Sequence, residues 1–219
     1  MKGWRGGAGA ERLRLLTIGA PAQTPVFLGG TAKISFPFNF ASTAGASLGF
    51  ALSAASALPK AKVKVASPTF TPGAPDPTTH RSPGAKQAVS VTVPKNAKPG
   101  VYEVTITATA PQGGSVSQVA KLKVTKPKLK FGAVKFNKAA GTATLSVKVP
   151  GAGTLTVAGK GIVKAKKKAK TLKITVRAKG KTLALLDQVG KAKVKAKVTF
   201  KPSSGIAVKR TKAITLKKN

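Results

Sequence analysis

The chain has 219 residues, of which 40 are Lys or Arg, 4 are Asp or Glu and 1 is His; the formal charge is +36 and there is no cysteine. Its carboxylates, Glu11, Asp76, Glu103 and Asp187, are scattered along the length, so no local cluster offers paired acid/base groups or a Ca²⁺ or Mg²⁺ cage, and His80 alone cannot build a zinc site. These counts weigh against an enzyme and against a metal or cofactor, and no small-molecule substrate is evident, yet an apolar fraction of 42% is enough to build a core.

Residues 1–23 carry Lys2, Arg5, Arg12 and Arg14 ahead of a short apolar stretch. That stretch is too short and too interrupted by charge for a secretory leader, so the expectation is an irregular arm leading into a strand over 13–18. No run approaches the roughly 18–20 apolar residues of a spanning helix, which predicts no transmembrane segment. From Thr31 onward, apolar residues alternate with polar or small ones, predicting strands over 31–40, 48–53, 61–65, 87–93, 101–110 and 115–125. Phe36, Phe38 and Phe40 then share one strand face, the placement expected of a sandwich core more than of a base-stacking platform. Seven prolines and glycines make 67–84 a long surface loop, and Gly113-Gly114 marks a hairpin. Asp76, His80 and Ser82 fall inside that loop, where nothing in the sequence supports the geometry of a catalytic triad.

Lys98-Pro99-Gly100-Val101-Tyr102 sets a Pro-Gly turn before a strand that has the chain's single Tyr near its start. From Val93-Pro94 through Pro99-Gly100, Tyr102, Val104 and Ile106 to Ala108, the run resembles the closing strands of bacterial immunoglobulin-like modules of secreted and surface proteins. The resemblance implies that the Tyr102 hydroxyl bonds to backbone a few residues upstream. Val104 stands where antibody domains place their second cysteine.

Lys126-Pro127 ends a strand and changes the composition, which predicts two domains, 1–126 and 127–219. The first holds 15 basic and 3 acidic residues, the second 25 and 1, so the smaller part carries twice the net charge, +24 against +12. Strands are expected over 128–136, 142–149, 153–158, 172–178, 192–200 and 206–216, with a hairpin turn at 151–153. One helix is expected over 182–189, capped by Thr182, with Leu183, Leu186 and Val189 or Leu185 near one face and Gly190 ending it. Gly153, Leu155, Val157, Gly159, Lys160 and Gly161, followed by a lysine-rich stretch over 164–170, resemble a basic β-sandwich at the C-terminal end of actinobacterial exported proteins. The fold class expected is therefore all-β, two tandem immunoglobulin-like β-sandwiches with one short helix in the second.

Lys191, Lys193, Lys195 and Lys197 alternate with Ala192, Val194, Ala196 and Val198. On a strand all four ammonium groups share one side and the apolar groups the other. Lys164, Lys166, Lys167, Lys168 and Lys170 form the densest cluster and are expected in a turn between strands. With so few acids the lysines cannot be neutralised internally, so the expected partner is anionic, and long-range attraction does not distinguish a cell-wall polymer or polysaccharide, anionic lipid, or nucleic acid held nonspecifically through its phosphates. Only six cations are Arg, which argues against reading of base edges. The function expected is a noncatalytic, extracellular or cell-surface structural or adhesive module with these nine lysines as its polyanion site.

Overall fold

Alternation buries one face of the central strands, as in Thr31–Ser42 and Lys191–Pro202, and the chain divides into two compact units, Met1–Thr125 and Lys126–Asn219. The computed structural model describes residues 3–6, 14–43, 48–168 and 171–219.

The first unit contains ten strands: β1 (Gly3–Gly6), β2 (Arg14–Ile18), β3 (Thr24–Phe27), β4 (Thr31–Ser42), β5 (Phe50–Ser56), β6 (Lys62–Val65), β7 (Thr69–Phe70), β8 (Ala85–Thr92), β9 (Gly100–Thr109) and β10 (Ser115–Thr125). They form two sheets, in the orders β1-β2-β4-β8-β6 and β3-β10-β9-β5-β7. Within these, β2-β4-β8-β6 and β10-β9-β5 reproduce the A-B-E-D and G-F-C arrangement of an immunoglobulin sandwich, and β3 adds a parallel edge to β10. Phe36, Phe38 and Phe40 on β4 are buried, as core rather than platform. Across the two sheets, Phe38 meets Phe70 edge-on at 4.9 Å and Phe40 meets Phe50 at 5.9 Å. The burial of Phe70 explains β7, a two-residue strand inside the stretch expected to be all loop: one aromatic anchored in the core brings its backbone alongside β5. Gly113 and Gly114, at φ 86° and 79°, turn β9 into β10. The Tyr102 hydroxyl donates to the Lys98 carbonyl at 2.8 Å, tying the start of β9 to the turn before it.

The second unit contains β11 (Lys130–Asn137), β12 (Thr142–Lys148), β13 (Gly153–Ala158), β14 (Ala165–Lys168), β15 (Thr171–Arg177), α1 (Lys181–Val189), β16 (Lys191–Pro202) and β17 (Val208–Lys217). A three-stranded sheet, β11-β12-β15, and a four-stranded one, β14-β13-β16-β17, enclose a core that includes Leu145, Val157, Ile174, Val198, Phe200 and Leu216. Three sequence expectations change here. First, β12 and β13 pair in different sheets, so 151–153 is a crossing between layers and not a hairpin. The crossing is tight: a Cβ on Gly153 would strike the Lys201 carbonyl and come within 2.8 Å of the Phe200 ring. Second, the lysine cluster is not simply a turn. Ala165–Lys168 forms β14, an edge strand paired antiparallel with β13, a position that tolerates lysine because its outer backbone edge faces water. Third, α1 begins one residue earlier, with Gly180 at φ 55° as its N-cap and no side-chain capping bond; Thr182 lies inside the helix against Gly161 instead. Gly190 ends the helix as expected, at φ 69°, its N–H donating to the Leu186 carbonyl at 3.0 Å.

Candidate functional site

Strand β16 is the central scaffold of the cationic face. Its burial alternates without a break from Lys191 to Val198: Ala192, Val194, Ala196 and Val198 point into the core, and Lys191, Lys193, Lys195 and Lys197 are exposed. Same-face residues on a strand repeat every ~6.8 Å, so the row spans roughly 20 Å. Pairing adds neighbours from both sides. On β17, Lys217 opposes Lys191, Thr215 opposes Lys193, Ala213 opposes Lys195, Thr211 opposes Lys197 and Lys209 opposes Thr199. On the other side Thr156 opposes Thr199 and Thr154 opposes Lys201, and Lys166 of β14 opposes Thr156. Cross-strand partners share a face, so Lys166, Lys201, Lys209 and Lys217 join the row in a field otherwise built of Thr and Ala. No carboxylate stands in that field.

Of the nine lysines expected to form the site, Lys191, Lys193, Lys195 and Lys197 stand together on this face, and Lys166 stands on it two strands away. Lys164 is exposed just before β14, Lys167 and Lys168 are within β14, where only the backbone is described, and Lys170 lies outside the described residues. Sequence reasoning passed over Lys201, Lys209 and Lys217. Lys201 merely continues the odd-numbered parity of β16, and Lys209 and Lys217 have the same parity on β17, a signal that was present in the pattern.

Neutralisation within the fold is slight. Among the described residues one ion pair is formed, between Lys218 Nζ and Asp187 Oδ1 at 2.6 Å, and both side chains are substantially exposed. Arg210 turns away from the face: its guanidinium donates to the Leu129 carbonyl at 2.8 Å and lies 5.2 Å from the centre of the Phe131 ring.

The loop constellation of Asp76, His80 and Ser82 is structural. Asp76 Oδ1 accepts from the Thr78 and Thr79 amides at 3.0 and 2.7 Å and from the Thr79 hydroxyl at 3.0 Å. These bonds, led by the Thr79 amide and followed by its hydroxyl, hold the Asp76 carboxyl below its ordinary range. Ser82 is buried, and its hydroxyl donates to the Gly73 carbonyl at 2.6 Å. The Asp76 carboxylate and the Ser82 hydroxyl are thus committed to shaping the loop. A cleft of about 440 Å³ beside Tyr102 is lined by Leu58, Pro59, Lys60, Pro94 and Lys98 among others, with no carboxylate or imidazole in its wall. Among the described residues no three His, Cys, Asp or Glu side chains are grouped to hold a metal ion, and no helix is long and apolar enough to cross a membrane.

No family model matches the sequence, and no curated protein matches it. Among solved structures, the chain is similar to a family 123 glycoside hydrolase from Clostridium perfringens, at 12% identity over 52% of this chain and 27% of that one, with a TM-score of 0.35. It is similar to the periplasmic chaperone SfaE, at 12% identity over 93% and 98% of the two chains and a TM-score of 0.34. It is also similar to the C-terminal domain of the Streptococcus agalactiae AgI/II polypeptide BspA, at 10% identity over 90% and 95%, with a TM-score of 0.36. The immunoglobulin-like assignment rests on the strand order and register described above.

Proposed function

We propose that this chain is a noncatalytic structural or adhesive module, exported or displayed at the cell surface, whose second unit holds an anionic polymer such as a cell-wall polymer or acidic polysaccharide on the outer face of β16. The observation that carries the reading is the unbroken row of Lys191, Lys193, Lys195 and Lys197, flanked by Lys201, Lys209 and Lys217 and by no acid. The chemistry is that of fixed point charges. An ammonium group attracts an anion without demanding one geometry, and a polymer that lies along the row displaces its own condensed counterions, so affinity falls steeply with salt. The paired strands, held by the Ala and Val residues packed in the core, set the lysine backbone positions at fixed spacing and so lower the ordering cost of binding.

The test compares an anionic cell-wall polymer with duplex DNA at equal ionic strength, using the full chain and the K191Q/K193Q/K195Q/K197Q variant. Each lost phosphate contact removes roughly 0.7–0.9 from the log–log salt slope, so four losses flatten it by roughly 3. Polymer binding with that flattening supports the site, and an unchanged slope removes β16 from it. Binding to DNA alone would move the assignment to a nonspecific nucleic-acid protein. Recovery of the protein from the cytosol and never from surface-shaved cells would overturn the location.

A further inference from the structure

The end of the second unit that carries α1 combines two features the sheet face does not. Helix α1 buries Leu186 and leaves Leu183, Leu185 and Val189 at 42%, 47% and 62% exposed. Leu185 and Val189, four residues apart, lie on one flank of the buried Leu186, and Leu183, about 160° around the helix from Leu185, lies on the other. Phe136, at the end of β11 near this helix, is 44% exposed, with Lys217 Nζ 5.8 Å from its ring centre.

Exposed cations surround this apolar rim. Lys179, Lys181 and Lys191 flank the helix in sequence, and the packing of Gly161 against Thr182 brings Lys160 beside its first turn. The single acid of the unit, Asp187, is engaged by Lys218, and among the described residues no other ion pair is formed.

A hydrophilic polymer would satisfy the lysines here and leave the leucines in water. A second copy of the chain would cover the leucines and set one ring of cations against another. One partner chemistry satisfies both, and we infer that this end docks on the surface of an anionic phospholipid bilayer, with Leu185 and Val189 entering the interface and the lysines resting among the headgroups. A helix of nine residues supplies too little apolar area to bind alone, so attachment requires both signals together. The inference concerns the helix end of the unit, which meets the proposed polymer site at Lys191 and Lys217, and its apolar part is tested separately from that site.

The test uses the full chain with vesicles of phosphatidylcholine alone or with one-quarter phosphatidylglycerol, and soluble polyphosphate as the probe of the sheet face. Cosedimentation is expected with the anionic vesicles only. L183S/L185S/V189S is expected to weaken it by at least about tenfold while polyphosphate binding is unchanged, because the exposed apolar flank of α1 loses its transfer into the interface. In W4F/L185W, a blue shift of tryptophan emission on adding anionic vesicles reports entry of the helix directly. Failure of the wild-type chain to bind anionic vesicles, equal binding by the triple variant, or an unshifted emission overturns the inference. So does a wild-type dimer that the triple variant abolishes, because a second copy then occupies the face. Vesicle binding without polyphosphate binding would sustain this inference and defeat the polymer reading.

Discussion

Phe200→Ala tests whether β16 is what holds the lysine row in place. Phe200 is fully buried, pairs across to Leu155 and Val208, and packs its ring against the position of Gly153, where the chain crosses between sheets. Truncating a buried Phe costs about 3–5 kcal/mol, and for a domain of this size each kcal/mol lowers Tm by roughly 4–8 °C, so the transition of the second unit should fall by roughly 12–40 °C. Lys193→Gln, on the other face of the same strand, should leave stability within about 0.5 kcal/mol of the parent chain. Differential scanning calorimetry reads both. The chain's single Trp and single Tyr lie in the first unit, so their fluorescence identifies which calorimetric transition has moved. A fall of less than about 4 °C for Phe200→Ala, below what even 1 kcal/mol would give, or a large fall for Lys193→Gln, would refute the alternation on which the face depends.

Three smaller effects follow from single contacts. Tyr102→Phe removes the bond to the Lys98 carbonyl, and because the residue is half-exposed and water can replace the hydroxyl, denaturant titration of the first unit should show a loss of about 1 kcal/mol or less. Asp76 has a folded pKa held below its ordinary value by the Thr79 amide first, so its stabilisation of the loop is complete above the ordinary aspartate range and is lost as pH falls through the depressed value. The Thr78 and Thr79 amide shifts should therefore titrate below that range, and Asp76→Ala should abolish the titration. Asp187→Asn breaks an exposed ion pair and should change stability by less than about 1 kcal/mol in thermal unfolding, with the difference shrinking further at high salt.

Much of the fold is legible in the sequence because half-buried strands alternate. The period-two pattern marks 115–125 and 153–158 to the residue, and most other strands to within one or two positions. Burial in pairs of sheets follows from the same signal, as for Phe36, Phe38 and Phe40. What alternation cannot carry is partnership. The short link at 151–153 reads as a hairpin because length alone does not reveal that β12 and β13 belong to different layers. The two-residue strand at Phe70 and the lysine-rich β14 are too short or too polar to have a period of their own, and each exists because a neighbouring strand supplies an edge. The site divides the same way. The row on β16 is visible in one segment and Lys209 and Lys217 follow its parity on the next strand, but that they and Lys166 lie beside the row depends on the register between strands. At α1 the expected apolar face proves mostly exposed, because Leu186 alone reaches the core.

Residue-resolved lysine acylation with and without a bound anionic cell-wall polymer tests the cationic face most directly. Protection should concentrate on Lys191, Lys193, Lys195, Lys197, Lys201 and Lys209, while Lys60, Lys62 and Lys64, exposed on the first unit, react as in the free protein. Protection spread evenly over both units, or centred on the first, would contradict the assignment.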